Sequence, residues 1–421
     1  MKMSSKRIMI IAGEASGDMH GAKLAESLKR YDRQVFLCGI GGSAMRAEGV
    51  ELLLDANTLS VVGITEVLTK LPAIRQAMQR VKNALSRLRP HLLILIDYPD
   101  FNFRVAAIAK RQNIPVLYYI SPQIWAWRQN RVKTIKRLVD HMAVILPFEL
   151  PFYLKHRVPV TFVGHPLLDR IQPQAADMTR LSTPSPTTIG LLPGSREKEV
   201  TTLLPVMIAA AKKIRQDCPT TRFLVSCADS IDAKLIDDTV NRIAEPLDIK
   251  VVKGPASTLF KQSQLLVAAS GTVTLEAALH GIPLVIIYKV SPLSYWLGRR
   301  LIKVKHIGIV NLIAQKSLLP ELIQADASPA EIAATVSGML NNPKRLNQIR
   351  AELLRVRNVL GGPGASDRVA RIAFNLIKKE NIPDVHPSGM FKDALAFISH
   401  PRLTFVLMPA PNGTGHMKNG A

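Results

Sequence analysis

Short, uninterrupted runs of apolar residues alternate with longer segments of helical spacing, and this alternation limits the possible folds more than any other feature of the chain. Runs at 8–12, 92–96 and 116–120 have the length of buried strands. A second series of such runs lies at 189–192, 223–226, 265–268 and 284–287. Alternating strands and helices form βαβ units, and strands that are apolar throughout belong to parallel sheets covered by helices on both faces. We therefore predict an α/β fold of doubly wound, Rossmann-like sheets, with ligands bound beyond the carboxyl ends of the strands.

The chain divides into two such sheets at a polar segment. A chain of 421 residues exceeds the size that one hydrophobic core usually supports, and residues 179–188 are rich in Pro, Ser and Thr, as linkers are. We place a first lobe at 1–172 and a second lobe at 186–345. Residues 346–380 are predicted to form C-terminal helices, whereas the tail at 381–421 has no clear period and is left unassigned.

Composition excludes several classes of protein. The three cysteines have neither Cys-x-x-Cys nor Cys/His spacing, so they indicate no disulfide framework and no zinc site, and they fit a reducing cytosol. No apolar run approaches the roughly 18 to 20 residues of a membrane span. The first run is too short for a signal peptide, and Glu14 and Asp18 follow it closely. The formal net charge of +23 favours an anionic partner, which can be nucleic acid, anionic lipid or a phosphorylated substrate.

Two glycine-containing segments follow the first strands. The loop Gly13-Glu-Ala-Ser-Gly-Asp18 precedes a helical segment, and its small residues permit close approach of the backbone to a ligand. An ordinary turn with Ser16 or Asp18 as the helix cap explains this loop equally well. The segment Gly39-Ile-Gly-Gly-Ser-Ala44 fits the loose pattern G-x-G-x-x-A, but it follows the second strand and is weak support for a dinucleotide site.

Asp97 directly follows the apolar strand at 92–96 and is therefore expected at the carboxyl edge of the sheet. A carboxylate in that position can accept the proton of a sugar hydroxyl as the hydroxyl attacks an anomeric carbon. The competing interpretation is that Asp97 or Asp100 only caps the next helix.

An aromatic and cationic cluster lies at 121–131, where Trp125 and Trp127 stand beside Arg128 and Arg131. Sugars and acyl chains pack on aromatic faces, and guanidinium groups pair with phosphate. A buried aromatic with a solvated cationic face is the commoner arrangement for such a cluster.

The second lobe repeats the pattern of a strand followed by small residues and a helix. In Leu191-Leu-Pro-Gly-Ser-Arg196, Gly194 allows backbone approach, Ser195 can donate a hydrogen bond, and Arg196 can stabilise a diphosphate leaving group. A capped turn explains Gly194 and Ser195 but gives Arg196 no role.

A second helix start in this lobe lies at 269–276, where Ser270, Gly271 and Thr272 precede Glu276 by about one helical turn. The carboxylate of Glu276 can accept both hydroxyls of a ribose, although it can equally be a solvated helix residue.

An apolar patch at Val61, Val62, Ile64 and Leu68 is followed by cations at Arg75, Arg80, Lys82, Arg87 and Arg89. An apolar patch bordered by cations is typical of a surface that contacts a membrane without crossing it. An amphipathic helix packed on its own sheet also gives this spacing.

Taken together, these residues resemble the lipid-A-disaccharide synthase family. The matching segments occur in order at 13–18, 96–102, 121–131, 164–165, 191–196, 270–272 with Glu276, and 311–312. The match covers roughly residues 7–375, and an ordered set of motifs is far more specific than any one of them. The chain departs from the family's usual length after residue 380.

This resemblance implies a GT-B architecture, in which two Rossmann-like lobes face a cleft and a C-terminal helix returns toward the first lobe. It implies inverting transfer of diacylglucosamine from UDP-2,3-diacylglucosamine to 2,3-diacylglucosamine 1-phosphate, which forms the β(1→6) disaccharide 1-phosphate and UDP. Asp97 is the implied general base, and Arg196 the implied partner of the departing diphosphate. The substrate-binding residues that the resemblance and the patterns indicate are Glu14, Ser16, Asp100, Trp125, Arg128, Gly194, Ser195, Ser270, Gly271, Thr272, Glu276 and Asn311.

No Asp-x-Asp motif accompanies these residues, so we expect neither a metal nor a cofactor, with protein donors stabilising the UDP that leaves. We expect a cytoplasmic enzyme that binds peripherally to an anionic membrane, on the cytoplasmic face of the inner membrane. A homodimer is left open, and nucleic acid is not an expected partner.

Two other functions remain as alternatives. UDP-N-acetylglucosamine epimerases share the two-lobed architecture and the ribose-binding carboxylate, so an isomerase is the nearest one. A basic nucleic-acid-binding protein is suggested only by the net charge.

Overall fold

The computed structural model describes residues 5–56, 64–171, 187–242, 247–291, 295–296 and 304–380, with the side chains of 64–71 left out. The described residues form two parallel sheets of seven and six strands with helices around them, which confirms the predicted α/β class of two doubly wound lobes. Val61, Val62 and the tail at 381–421 lie outside the described residues, as do the side chains of Ile64 and Leu68.

The first lobe contains a seven-stranded sheet in the order β3-β2-β1-β4-β5-β6-β7. Its strands are β1 (Arg7–Ala12), β2 (Phe36–Gly41), β3 (Glu51–Asp55), β4 (Leu92–Ile96), β5 (Val116–Tyr119), β6 (His141–Val144) and β7 (Val160–Phe162). Its helices are α1 (Ala15–Tyr31), α2 (Ser43–Ala47), α3 (Ile64–Leu88), α4 (Pro99–Arg111), α5 (Ile124–Trp127), α6 (Val132–Leu138) and α7 (Glu149–Lys155), with 3₁₀ turns at Gln129–Arg131 and Pro166–Asp169.

The second lobe contains a six-stranded sheet in the order β10-β9-β8-β11-β12-β13. Its strands are β8 (Thr188–Leu192), β9 (Arg222–Cys227), β10 (Ile249–Lys253), β11 (Leu265–Ala269), β12 (Leu284–Tyr288) and β13 (Glu321–Ile323). The described helices that follow the linker are α8 (Glu197–Asp217), α9 (Ala233–Arg242), α10 (Ala256–Phe260), α11 (Thr272–Leu279), α12 (Ile309–Ala314), α13 (Pro329–Leu340), α14 (Pro343–Val359) and α15 (Ala365–Lys378).

The central strands of both sheets form the core. All five residues of β4 and all five of β11 are buried, because helices cover both faces of each sheet. The chain order reverses between β1 and β4 in the first sheet and between β8 and β11 in the second. Crevices at the carboxyl ends of strands at such switch points are where open α/β sheets bind ligands.

The last helix, α15, returns to the first lobe, as the resemblance implied. It packs against α1, where Arg30 forms a 2.6 Å ion pair with Asp367 and the rings of Tyr31 and Phe374 stack. Asp169 accepts a 2.5 Å hydrogen bond from the backbone N–H of Gly364, which holds the start of α15. In the parts of the chain that the structure describes, no helix is both long enough and apolar enough to span a membrane.

Candidate active site

Asp97 lies immediately after β4, at the first switch point. Asp97 and Tyr98 both have left-handed backbone conformations, with φ of 44° and 49°, which residues other than glycine adopt infrequently. The carbonyl oxygen of Asp97 accepts hydrogen bonds of 2.6 Å from the amide of Asn102 and 2.6 Å from the hydroxyl of Tyr118. These two bonds hold the backbone in the strained turn, and the side chain of Asp97 stays available for chemistry.

The electrostatic surroundings of Asp97 favour its protonated form. Burial and the nearby negative charge of Glu14 together raise the pKa of Asp97 to about 6, and the backbone N–H of Tyr98, which lowers it, opposes part of that rise. A carboxyl whose pKa lies close to neutrality can both hold and release a proton under working conditions, which a general base must do.

The ring of Tyr98 lies against Gly13 in the loop after β1, a contact that the sequence patterns did not indicate. A Cβ atom on Gly13 would lie 2.3 Å from the ring of Tyr98, so only glycine fits at that position. Burial and the charges of Glu14 and Asp100 raise the pKa of Tyr98. Glu14 itself is exposed beside Asp97, where it can meet a ligand.

Neither Ser16 nor Asp18 caps α1, although the sequence allowed that interpretation of this loop. Helix α1 begins at Ala15, so most of the predicted loop is its first turn, and Ser16 is an exposed helical residue. Asp18 is buried and accepts hydrogen bonds from the backbone N–H groups of Gly42, Ala44 and Met45, at 2.6, 3.0 and 3.0 Å. Asp18 therefore caps α2 rather than α1, because its side chain reaches across to the neighbouring βα turn.

This cap also explains the G-x-G-x-x-A segment. The carboxylate of Asp18 takes the amides at the start of α2 that a dinucleotide phosphate would need. Gly39 has φ of 155°, and a Cβ there would lie 1.7 Å from the carbonyl oxygen of Ile10. The glycine is thus required by strand packing, and the weak dinucleotide interpretation has no support.

The aromatic cluster separates into a buried and an exposed part. Trp125 is buried, its indole N–H donates a 3.1 Å hydrogen bond to Glu149, and its ring packs edge-on against Phe148. Trp127 is 39% exposed, and the guanidinium of Arg128 lies 4.2 Å from the centre of its ring. The structure therefore places Trp125 in the core, and the ring available to a ligand belongs to Trp127, which was in the predicted cluster but not among the predicted substrate-binding residues.

Asp100 is an exposed residue in the first turn of α4, and it forms a 2.7 Å ion pair with Arg131. Asp97, Glu14, Asp100, Arg131 and the Trp127–Arg128 pair thus occupy the loops that follow β1, β4 and β5.

In the second lobe, a cavity of about 260 Å³ lies at the second switch point. It is lined by the loop after β8, the start of α11 and the ends of the neighbouring strands. Arg196 lines it together with five of the predicted substrate-binding residues: Gly194, Ser195, Ser270, Gly271 and Thr272. The remaining lining residues include Glu199, Ser226, Gly254 and Val273.

The loop before α8 packs around the carboxylate of Glu199. Gly194 has φ of 121°, and a Cβ there would lie 2.3 Å from Oε2 of Glu199. Oε2 of Glu199 accepts a 3.2 Å hydrogen bond from the backbone N–H of Ser195, and Oε1 lies 3.3 Å from the guanidinium of Arg196. The hydroxyl of Ser230 donates a 2.7 Å hydrogen bond to the carbonyl oxygen of Ser195. Glu199 was not among the predicted site residues, although its position three residues after Arg196 is a signal that helical spacing provides.

The start of α11 supplies the other wall. Gly271 is extended, with open space where a Cβ would be, and no side chain caps the helix. The first-turn amides of α11 are therefore free of a side-chain cap at the edge of the cavity. Glu276 is half-buried one turn into α11 and is not among the residues that line the cavity.

Asn311 does not lie on the cavity. It is fully buried, and its amide donates to the carbonyl oxygen of Leu319 at 2.8 Å and to Glu321 at 2.7 Å. Its side-chain oxygen accepts a 2.9 Å hydrogen bond from the N–H of Leu319. Glu321 in turn accepts hydrogen bonds from the N–H groups of Ile307 and Gly308. The structure thus gives Asn311 an internal bracing position, whereas the resemblance placed it among the substrate-binding residues.

Clusters of His, Cys, Asp or Glu that could hold a metal ion do not occur among the described residues. The first lobe contributes carboxylates, cations and the ring of Trp127, and the second contributes a guanidinium, hydroxyls, backbone amides and the carboxylate of Glu199.

Known proteins resemble this chain in sequence over nearly its whole length. The family described as lipid-A-disaccharide synthetase matches residues 8–368. The lipid-A-disaccharide synthase of Syntrophus aciditrophicus is 47% identical over 383 residues, which are 90% of this chain and 100% of that protein. The lipid-A-disaccharide synthase of Coxiella burnetii is 44% identical over 380 residues, 89% of this chain and 100% of the relative.

Solved structures share the fold at low identity. The UDP-GlcNAc 2-epimerase of Neisseria meningitidis, bound to UDP-GlcNAc, has a TM-score of 0.54 at 13% identity and covers 89% of this chain and 100% of its own. MurG of Acinetobacter baumannii has a TM-score of 0.56 at 13% identity and covers 88% of this chain and 99% of its own. The calicheamicin glycosyltransferase CalG4 has a TM-score of 0.57 at 16% identity and covers 91% and 100%. Because both epimerases and transferases have this fold, the fold alone does not choose between those activities.

Proposed function

The chain belongs to the lipid-A-disaccharide synthase family, and we propose that it transfers 2,3-diacylglucosamine from its UDP derivative to 2,3-diacylglucosamine 1-phosphate. The products are the β(1→6) disaccharide 1-phosphate and UDP. The chain is a glycosyltransferase of GT-B architecture. One arrangement carries the proposal. A carboxyl with a raised pKa follows β4 at one switch point, and at the other a cation follows β8 and a helix start without a side-chain cap follows β11.

Asp97 is the proposed general base. Its carboxylate takes the proton of the acceptor's primary hydroxyl as the oxygen attacks the anomeric carbon of the donor. The new C–O bond forms as the bond from that carbon to the diphosphate oxygen breaks on the opposite face. One direct displacement of this kind inverts the configuration at the anomeric carbon.

The second lobe is the proposed donor site. Arg196, the N–H and hydroxyl of Ser195 and the amides at the start of α11 supply the donors that a departing diphosphate requires. Ser270, Gly271 and Thr272 form that helix start, and Gly194 leaves room for the phosphates. Glu276, half-buried one turn into α11, is the proposed ribose ligand. We propose that these protein groups stabilise the charge of UDP without a metal ion or a cofactor.

The first lobe is the proposed acceptor site. Glu14 and Ser16 are exposed at the start of α1, and Asp100 at the start of α4, so all three can meet the sugar near Asp97. Arg128 on the exposed ring of Trp127 offers a cation and an aromatic face to the phosphate and acyl chains.

The acyl chains of both substrates give a reason for membrane contact. We propose that the apolar patch of Val61, Val62, Ile64 and Leu68 touches the cytoplasmic face of the inner membrane. Support comes from the helix that begins at Ile64 and carries Arg75, Arg80 and Arg87 along its length, because cations beside apolar residues favour anionic lipid surfaces.

The test is to supply UDP-2,3-diacylglucosamine with and without the acylated sugar 1-phosphate, and to follow UDP and sugar products. Transfer gives UDP and disaccharide only when the acceptor is present. Acceptor-independent formation of an epimerised sugar would instead establish the isomerase alternative. Duplex and single-stranded DNA added as competitors should leave the transfer rate unchanged at physiological salt, because the basic charge serves lipid and phosphate binding.

A further inference from the structure

The carboxylate of Glu199 contacts two hydrogen-bond donors of the proposed diphosphate site, the Ser195 N–H and the Arg196 guanidinium. Its Oε2 atom accepts from the backbone N–H of Ser195 at 3.2 Å, and its Oε1 atom lies 3.3 Å from Arg196. The carboxylate also rests against the Cα of Gly194, where a Cβ would come within 2.3 Å. One carboxylate thus touches all three residues of the Gly194-Ser195-Arg196 loop.

This contact conflicts with diphosphate binding in a specific way. A backbone N–H is a single donor, so the N–H of Ser195 cannot serve Glu199 and a phosphate oxygen at full strength together. A guanidinium has five N–H donors, so Arg196 can keep one carboxylate and still reach a phosphate. A diphosphate beside the carboxylate also meets like charge in a partly enclosed cavity, where screening by water is reduced.

We propose that Glu199 is an exchangeable internal anion of the donor site, which yields the Ser195 N–H when UDP binds and takes it back when UDP leaves. Retention of Oε1 on Arg196 keeps the guanidinium aimed at the cavity throughout. Glu199 therefore weakens UDP binding and speeds UDP release, while it keeps the loop in its binding conformation. This inference rests on the proposed function of the second lobe.

The neighbouring Glu197 provides a matched control. It lies in the same first turn of α8 and is exposed, but it is not among the residues that line the cavity. Glu197→Gln and Glu199→Gln remove the same charge from the same helix end. Any difference between them isolates the local contact of Glu199 from the general effect of charge near a helix N-terminus.

The experiment measures UDP binding by isothermal titration and UDP dissociation by stopped flow, at low and physiological salt. We expect Glu199→Gln to bind UDP about three- to tenfold more tightly than wild type, with a correspondingly slower dissociation, since a neutral amide competes less and repels less. Glu197→Gln is expected to change both quantities by less than a factor of about two. Glu199→Asp, whose shorter side chain breaks the contact with Ser195 but keeps the charge, is expected to fall between wild type and Glu199→Gln.

The proposed exchange is contradicted if Glu199→Gln binds UDP no more tightly than wild type and Glu199→Asp also binds it no more tightly. Glu199 would then only support Arg196. Arg196→Ala separates this failure from failure of the site itself. If wild type binds UDP and Arg196→Ala does not, the donor site stands whatever the result at Glu199. If wild type does not bind UDP, the proposed function and the exchange both fail.

Discussion

Ala12 and Ile96 are register partners at the carboxyl ends of the adjacent parallel strands β1 and β4. The chain turns out of both strands at the same level, which brings the loop of Glu14 beside the strained turn of Asp97. Two carboxylates from distant parts of the chain thereby become electrostatic neighbours. The pKa of one depends on the charge of the other.

This neighbourhood predicts the pH dependence of transfer. A general base works only when deprotonated, so activity should rise with pH through about 6, the raised pKa of Asp97, and then level off. Glu14→Gln removes a like charge that raises the pKa of Asp97, so the midpoint of the rise should move to lower pH. The measurement is the pH profile of turnover for both proteins with saturating substrates.

The acceptor's phosphate also titrates near pH 6, so the midpoint of the wild-type profile alone does not identify Asp97. The test is therefore the difference in midpoint between wild type and the variants. Asp100→Asn serves as a control, because Asp100 does not contribute to the shift at Asp97 and its removal should leave the midpoint in place. A midpoint that moves equally in both variants, or in neither, would contradict the assignment of the pH dependence to Asp97 and Glu14.

Arg196 is predicted to act through the planar arrangement of its guanidinium N–H groups as well as through its charge. Arg196→Ala should lower turnover by about two to three powers of ten, as the loss of one oxyanion donor does. Arg196→Lys should recover only a small part of this, because an ammonium cannot bond two phosphate oxygens in the same planar geometry. Steady-state kinetics with varied donor concentration measures both.

Arg222→Ala is the matched control for Arg196, since it removes an exposed cation of the same lobe that pairs with Asp248. Full activity of Arg222→Ala is expected. Equal losses in both variants would mean that overall charge, rather than the position of Arg196, supports the reaction.

Asp18 is predicted to be structural. Asp18→Ala leaves three backbone N–H groups at the start of α2 without their acceptor, so the free energy of unfolding should fall by about 1–3 kcal/mol. Urea titration followed by circular dichroism measures this. Asp32→Ala, which loses one bond to Gln34 in a surface turn, is expected to cost less than about 0.5 kcal/mol. A negligible cost at Asp18 would show that the cap contributes nothing to stability.

The apolar patch is predicted to govern partition onto anionic vesicles. Replacement of Val61, Val62, Ile64 and Leu68 by Ser should reduce sedimentation with phosphatidylglycerol vesicles, because apolar area that would enter the interface is lost. Circular dichroism should be unchanged. Vesicle binding equal to that of wild type would remove this patch from membrane contact.

The strands were predictable because their burial on both faces makes each one apolar throughout. The predicted runs at 92–96 and 265–268 coincide with β4 and nearly with β11, and the segment at 346–380, predicted to be helical, corresponds to most of α14 and to α15. The start of α1 was harder to predict from the sequence. Asp18 contacts the start of α2 rather than the end of its own helix, and such a contact leaves no local pattern.

The positions of candidate site residues were predictable where they depend on a strand end: Asp97 follows β4, and Arg196 lines the cavity beyond β8. The exposure and the contacts of a residue were not predictable where packing against distant parts of the chain determines them. Trp125 and Trp127 stand two residues apart in one helical turn. Trp125 is the buried one, bonded to Glu149 on α7 and packed against Phe148, and such contacts with a distant part of the chain leave no local pattern. Asn311 belongs to an internal network because Glu321 comes to lie beside it, which spacing alone does not reveal.

The turnover of Asp97→Asn, measured together with its affinity for UDP, tests most directly whether Asp97 is the general base. Asn tolerates the left-handed backbone at this position and preserves shape, so the fold and the second lobe should be intact. We predict a fall in turnover of about two to four powers of ten, with UDP binding equal to that of wild type. Near-normal turnover would contradict the central claim that Asp97 takes the proton from the attacking hydroxyl.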